Sequence, residues 1–111
     1  MDIQKFIQEW LACSNAYDTN SYLEKYQKDV VLDDPSVGQK FVGHPGIRKY
    51  FEDYFIGYKT QTQLVKLDII SEESVHIEVE FTGEFPGGKI SGEFDFTFKD
   101  GKIASAKADL I

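Results

Sequence analysis

The spacing of apolar side chains changes once along this chain, near residue 60, from the period of a helix to that of a strand. Before that point Ile3, Phe6, Ile7, Trp10, Leu11 and Ser14 recur three and four residues apart. So do Ile47, Tyr50, Phe51, Tyr54, Phe55 and Tyr58. Each set forms one wide stripe on a helix. Beyond it, Val65, Leu67 and Ile69 alternate with Lys66 and Asp68. Val75, Ile77, Val79 and Phe81 alternate with His76, Glu78 and Glu80, and Ile90, Phe94, Phe96 and Phe98 with Ser91, Glu93, Asp95 and Thr97. Strict alternation buries one face of a sheet and leaves the other wet. Helices first and an antiparallel meander second predict an α+β domain whose helices cover the apolar face of the sheet.

Local signals set the boundaries. Asp18 or Thr19 can cap a short second helix, in which Ser21 and Glu24 have the spacing of a capping box and Tyr22, Leu23 and Tyr26 supply the buried side. Val30 to Asp34 reads as a short strand stopped by Pro35. Gly43-His44-Pro45-Gly46 opens a third helix, with proline in the first turn where its missing N–H costs nothing. Pro86-Gly87-Gly88 is turn chemistry, and Asp100-Gly101 predicts a hairpin into a last strand over 103–110. With 111 residues and no linker or repeat, the chain is expected to be one domain, 1–111.

Lys plus Arg is 12 against 19 for Asp plus Glu, a net charge of −7. That balance repels phosphate backbones and anionic lipid, so neither nucleic acid nor membrane is an expected partner. The apolar runs are far shorter than a membrane span needs, and the N-terminus lacks a basic-then-apolar leader, so the expected location is cytoplasmic. One cysteine, Cys13, excludes an internal disulfide; with two histidines, a zinc site lacks ligands. No glycine-rich phosphate loop follows a strand. No metal and no cofactor are therefore expected.

Four strings carry a resemblance: Trp10-Leu11-Ala12 with Asn15-Ala16-Tyr17-Asp18; Tyr26 through Asp34-Pro35; Gly43 through Ile47-Arg48-Lys49-Tyr50-Phe51; and Phe94 through Asp100-Gly101-Lys102-Ile103. In this order they resemble the nuclear transport factor 2-like superfamily, in its branch of ketosteroid isomerases and SnoaL-like polyketide cyclases. The resemblance implies a cone-shaped roll, a curved antiparallel or mixed sheet under three N-terminal helices, with a deep apolar pocket between them. It also implies a homodimer through the outer sheet face. In the isomerases a pocket carboxylate moves a proton beside a carbonyl, while a tyrosine and a protonated aspartate donate to the oxyanion. Asp34 falls where that family places its base, and alternation independently puts Asp34 on one face with Val30 and Leu32. The family's tyrosine corresponds to Trp10, whose indole N–H donates only one bond. Phe94 stands in place of the second donor, because alternation turns Asp95 outward unless a bulge intervenes. The Asp–Arg–Asp set of limonene epoxide hydrolases finds Ala108 at the last-strand position, and only Glu78 and Glu80 on the middle strand.

Each candidate has an ordinary reading beside the functional one. Asp34 is either a general base in an apolar cavity or a strand-end aspartate that takes backbone N–H groups in the turn before proline. Trp10, Tyr26, Phe51, Phe55 and Phe94, with Tyr17, Tyr54 and Tyr58, are either pocket wall or core. Ala104, Ala106 and Ala108 alternate on the last strand with Leu110; such small residues either leave a cavity open or admit a closely packed helix. His44 is either a proton shuttle at the pocket mouth or a residue of the helix start. Cys13 reads as packed, and His76 as outer-face. Glu78, Glu80, Glu93 and Asp95 make that outer face acidic and call for lysine partners such as Lys66.

Two functions fit. The first is a cofactor-independent isomerase or cyclase in which Asp34 acts on a small hydrophobic carbonyl compound. The second is a non-catalytic ligand-binding or dimerisation module with the same fold, which the missing oxyanion donors favour. The expected site is Asp34 with Trp10, Tyr26, Phe51, Phe55, Phe94, Ala106 and Ala108.

Overall fold

The period change marks the end of the last helical segment, and two strands of the sheet lie before it. The computed structural model describes residues 1–111. Helices α1 (Ile3–Asn15) and α2 (Thr19–Glu24) lead into strands β1 (Tyr26–Asp34) and β2 (Gln39–Val42). Helix α3 (Gly43–Phe51) runs on into a π-turn, Glu52–Ile56. Strands β3 (Gln61–Ser71), β4 (Ser74–Thr82), β5 (Lys89–Lys99) and β6 (Lys102–Leu110) complete the chain. The six strands form one curved, open sheet in the order β2-β1-β6-β5-β4-β3, in which β1 runs parallel to β6 and all other neighbours are antiparallel. The α+β reading is thus borne out. No helix is long and apolar enough to cross a membrane.

Aspartates start the first two helices. Asp2 accepts from the Lys5 N–H, and Asp18 accepts from the Ser21 N–H at 3.2 Å. The cap is therefore Asp18, and Ser21 and Glu24 lie inside the helix instead of forming a capping box. Asn15 ties the end of α1 to β3: its amide donates to the Thr62 carbonyl at 2.9 Å and its oxygen accepts from the Thr62 N–H at 2.7 Å. Strand β1 begins at Tyr26, four residues earlier than Val30, and β2 carries no sequence signal because only Phe41 in it is buried.

Of the four register shifts in the sheet, two break the expected alternation. In β3 the partners step from Leu64–Val79 to Lys66–Glu78, which leaves Val65 as an extra residue, 66% exposed. Ile69, near the far end of this edge strand, is also exposed. In β6 the step from Thr97–Ser105 to Phe98–Ile103 leaves Ala104 extra, so Ile103 enters the core in its place. The alanine row shrinks to Ala106 and Ala108.

The core is aromatic. Trp10 is fully buried, with its ring edge-to-face against Phe94 at 5.2 Å and Phe96 at 5.3 Å. Phe94 pairs across the sheet with Ala108, and Phe96 with Ala106. The small residues therefore make room for rings, not for an open space. Tyr22 stacks on Phe51 with centroids 4.0 Å apart. The Trp10 indole donates to the Tyr26 hydroxyl at 3.0 Å, which donates to Tyr22 at 2.8 Å, so the buried polar tips satisfy one another. Burial pushes the Tyr26 phenol up to about 12, and Tyr22 well above its usual range, so both stay protonated.

On the outer face His76 places Nδ1 2.7 Å from Asp95 and Nε2 3.3 Å from Glu78. Asp68 lies opposite it on β3, and Glu93 adds to the negative field. Lys66 reaches Asp68 and Glu78, and Lys107 pairs in register with Asp95. The bond to Asp95 is the main cause of the raised His76 pKa. A raised folded-state pKa stabilises the fold fully below the ordinary value of 6.5, and that contribution fades as pH rises through the folded value. The parent should therefore exceed His76→Ala in urea midpoint at pH 6, and the gap should shrink by pH 9. A gap that widens with pH contradicts the assignment.

Candidate functional site

Proline ends β1 at Asp34, and the turn that follows folds back on the carboxylate. The Ser36 N–H donates to Asp34 Oδ1 at 3.0 Å, and the Ser36 hydroxyl donates to the same oxygen. Both bonds fall on Oδ1, and Oδ2 receives none from the turn. Asp34 is 6% exposed, and it lines a cavity of about 310 Å³. The turn-forming and cavity-lining roles thus coexist in one side chain.

Five aromatic residues beyond Tyr50 surround that carboxylate end: Tyr54, Phe55 and Tyr58 from the π-turn and its exit, Phe81 from β4 and Phe85 from the β4–β5 loop. Tyr50 and Thr60 add hydroxyls, and Val37, Pro86, Ile90 and Leu110 complete the rim. The π-turn directs its residues here. Its wide hydrogen bonds, Gly57 N–H to the Glu52 carbonyl and Thr60 N–H to the Phe55 carbonyl, are both 2.8 Å. A side chain at Gly57 would meet the Asp53 carbonyl at 2.8 Å, so glycine is required. The Thr60 hydroxyl donates to the Tyr54 carbonyl at 2.9 Å, and the Glu84 N–H to the Tyr58 carbonyl at 2.6 Å, pinning the loop that carries Phe85.

Tyr50 stands against Asp34. Burial first, and then the charge of Asp34, hold its hydroxyl pKa well above 10. It is thus a proton donor beside the only carboxyl group in the lining. Tyr50 was not among the expected site residues. Its signal was a run of phenols (Tyr50, Tyr54, Tyr58) on an otherwise apolar stripe, since a buried hydroxyl needs a polar surrounding.

Of the expected residues, Asp34 and Phe55 line the cavity together. Trp10, Tyr26, Phe51 and Phe94 lie in the closed aromatic core beside it, each 0–1% exposed, and Ala106 and Ala108 are buried as the cross-strand partners of Phe96 and Phe94. Asp95 faces outward, held by His76. His44 places Nε2 2.8 Å from the Tyr26 carbonyl and so fastens α3 to β1; it does not line the cavity. Burial raises the Cys13 thiol pKa, which keeps it a weak nucleophile. No three His, Cys, Asp or Glu side chains come close enough together to hold a metal ion.

Gly92 shapes the cavity from behind. A Cβ there would collide with the ring of Phe81, a wall residue. Gly92→Ala is expected to displace that ring and cost about 1–3 kcal/mol of stability by overpacking. Ligand affinity should fall with it, as read by calorimetry at a temperature where the variant is folded; unchanged affinity would show that Phe81 is not part of the wall.

The SnoaL-like domain family matches residues 7–106, nearly the whole chain. The chain belongs to this family. Its fold recurs in solved structures. A Sinorhizobium meliloti protein described as a polyketide cyclase superposes with a TM-score of 0.84 at 19% identity, covering 94% of this chain and 93% of its own. A Mycobacterium tuberculosis protein in complex with estradiol-17β-hemisuccinate gives 0.80 at 17%, covering 95% and 90%. A Catenulispora acidiphila protein of ketosteroid isomerase-like fold, in complex with trimethylamine, gives 0.81 at 15%, covering 93% and 82%. These structures share the fold of this SnoaL-like chain at identities too low to carry an activity across. Among curated proteins, none matches this sequence.

Proposed function

We propose that this SnoaL-like protein binds a small hydrophobic carbonyl compound in the Asp34 cavity and moves a proton on it, in isomerase or cyclase fashion and without a cofactor. The observation that carries the reading is the pairing of a cavity carboxylate, Asp34, with a phenol that keeps its proton, Tyr50. Asp34 Oδ2 takes the proton from the carbon next to the carbonyl. That C–H bond breaks as an O–H bond forms, and the electron pair moves onto the carbonyl oxygen. Tyr50 donates a hydrogen bond to the enolate so formed, replacing both donors that the family places elsewhere. Asp34 then returns the proton to carbon. Solved relatives of this fold hold small molecules, among them a steroid ester.

The test uses 2-tetralone in heavy water, with exchange of its α-hydrogens followed by proton NMR. Asp34→Asn exchanging at the parent rate contradicts the reading.

A second reading, a non-catalytic ligand-binding module, is favoured by the Ser36 bonds that already occupy Oδ1. It predicts no exchange above buffer in either form and an altered affinity in Asp34→Asn. In both readings the chain is a single domain of cytoplasmic origin that forms a homodimer through the outer sheet face, where Lys66 and Lys89 offset Glu78 and Glu80.

A further inference from the structure

The lining of the Asp34 cavity is one-sided in charge. Its 13 residues hold one carboxylate and no lysine, arginine or histidine. Lys59, next to Tyr58 in sequence, lies outside the lining and pairs with Glu84 at 3.6 Å. Six of the lining residues are aromatic, with Tyr50 and its neighbours crossing at steep angles: Tyr50–Phe55 at 61°, Phe55–Phe81 at 81° and Tyr58–Phe85 at 78°. In an edge-to-face pair one ring keeps both faces clear of its partner. Those faces carry the negative end of the ring quadrupole, which attracts a cation most strongly where water is excluded. Asp34 Oδ2, without a bond from Ser36, adds a full negative charge to the same space.

We infer that, among the small apolar molecules this cavity takes, it prefers one that carries a positively charged amine, the ammonium held between the aromatic faces and the Asp34 carboxylate. The inference rests on the reading of the cavity as a ligand pocket and names the charge class of its occupant. A carboxylated ligand would have to shed its water beside Asp34 with no cation to meet it. A neutral one binds without meeting the carboxylate's charge, which keeps only the Ser36 and Tyr50 donors. The net charge of −7 on the chain biases encounter in the same direction.

Three probes of nearly one shape separate the possibilities: benzyltrimethylammonium, its uncharged carbon isostere neopentylbenzene, and phenylacetate. Affinities are read from amide shifts of the ¹⁵N-labelled full chain. A purely apolar cavity prefers the neutral isostere, because removing water from an ammonium is costly. The expected result is the reverse, with the ammonium bound about tenfold tighter than the isostere and phenylacetate weakest. Asp34→Asn should erase most of the ammonium's advantage and leave the isostere unchanged, as should Tyr54→Leu in part. Neopentylbenzene binding as tightly as the ammonium, or tighter, overturns the inference and leaves the pocket reading intact. Silence from all three probes overturns both.

Discussion

Asp34→Asn slows deuterium exchange at the α-carbon of 2-tetralone by at least about 10²-fold, the size expected when a positioned general base is removed. Asparagine keeps the side-chain oxygen that accepts from the Ser36 N–H, so the turn after β1 survives and the loss is one of chemistry. Affinity for 2-tetralone should change little, because the ring contacts with Phe55, Phe81 and Phe85 are untouched. Tyr50→Phe removes the donor and keeps the ring. It should slow exchange by about 10²–10³-fold, as loss of one oxyanion donor does elsewhere. The double variant should lose less than the product of the two single losses, since base and donor act on one transition state. Exchange at the parent rate in both single variants, with 2-tetralone still bound, would remove the catalytic reading and leave the binding one.

Trp10→Ala should cost about 3–5 kcal/mol of unfolding free energy, much of the 5–15 kcal/mol a domain possesses. Trp10 is fully buried, and its removal opens a hole between α1 and the rings of Phe94 and Phe96. It also takes away the donor to the Tyr26 hydroxyl, which is buried with a shifted proton affinity. Trp10→Phe refills most of the volume but loses the hydrogen bond to Tyr26, so a penalty of about 1–3 kcal/mol is expected. Urea unfolding followed by far-ultraviolet circular dichroism reads both. The same pair of variants separates a core residue from a pocket wall. As core, Trp10→Phe binds 2-tetralone with the parent's affinity; as wall, its affinity changes while its stability does not.

Where a signal was local or periodic, it was legible in the sequence. The stripe through Phe6, Trp10 and Ser14 and the alternation through Val75, Ile77 and Val79 each specify one buried face, and those faces are the ones the fold buries. The bulges at Val65 and Ala104 were not legible, because an extra residue is decided by the partner strand and leaves the residue types unchanged. Strand β2 was silent for a different reason: four residues with one buried side chain have no period to detect. At the site, alternation with Val30 and Leu32 placed Asp34 correctly on the inner face. The wall was another matter. The family resemblance pointed to Trp10, Tyr26 and Phe94, but in this chain Phe96 and Phe94 stand across the sheet from Ala106 and Ala108 and pack on Trp10, and the open space lies toward Tyr54, Tyr58 and Phe85. Which of sixteen aromatic residues fills a volume and which borders one depends on side chains from six elements at once, and no single segment encodes it.

That displacement of the open space, away from Trp10 and toward the π-turn, is the centre of the account. It is tested by titrating 2-tetralone into the ¹⁵N-labelled chain and following three N–H signals together: the amides of Ser36 and Thr60 at the cavity and the indole of Trp10 in the core. Saturable shifts of Ser36 and Thr60 with an unmoved Trp10 indole are the predicted result. A Trp10 indole that shifts and saturates while Ser36 and Thr60 stay still would place the ligand in the core and contradict the account.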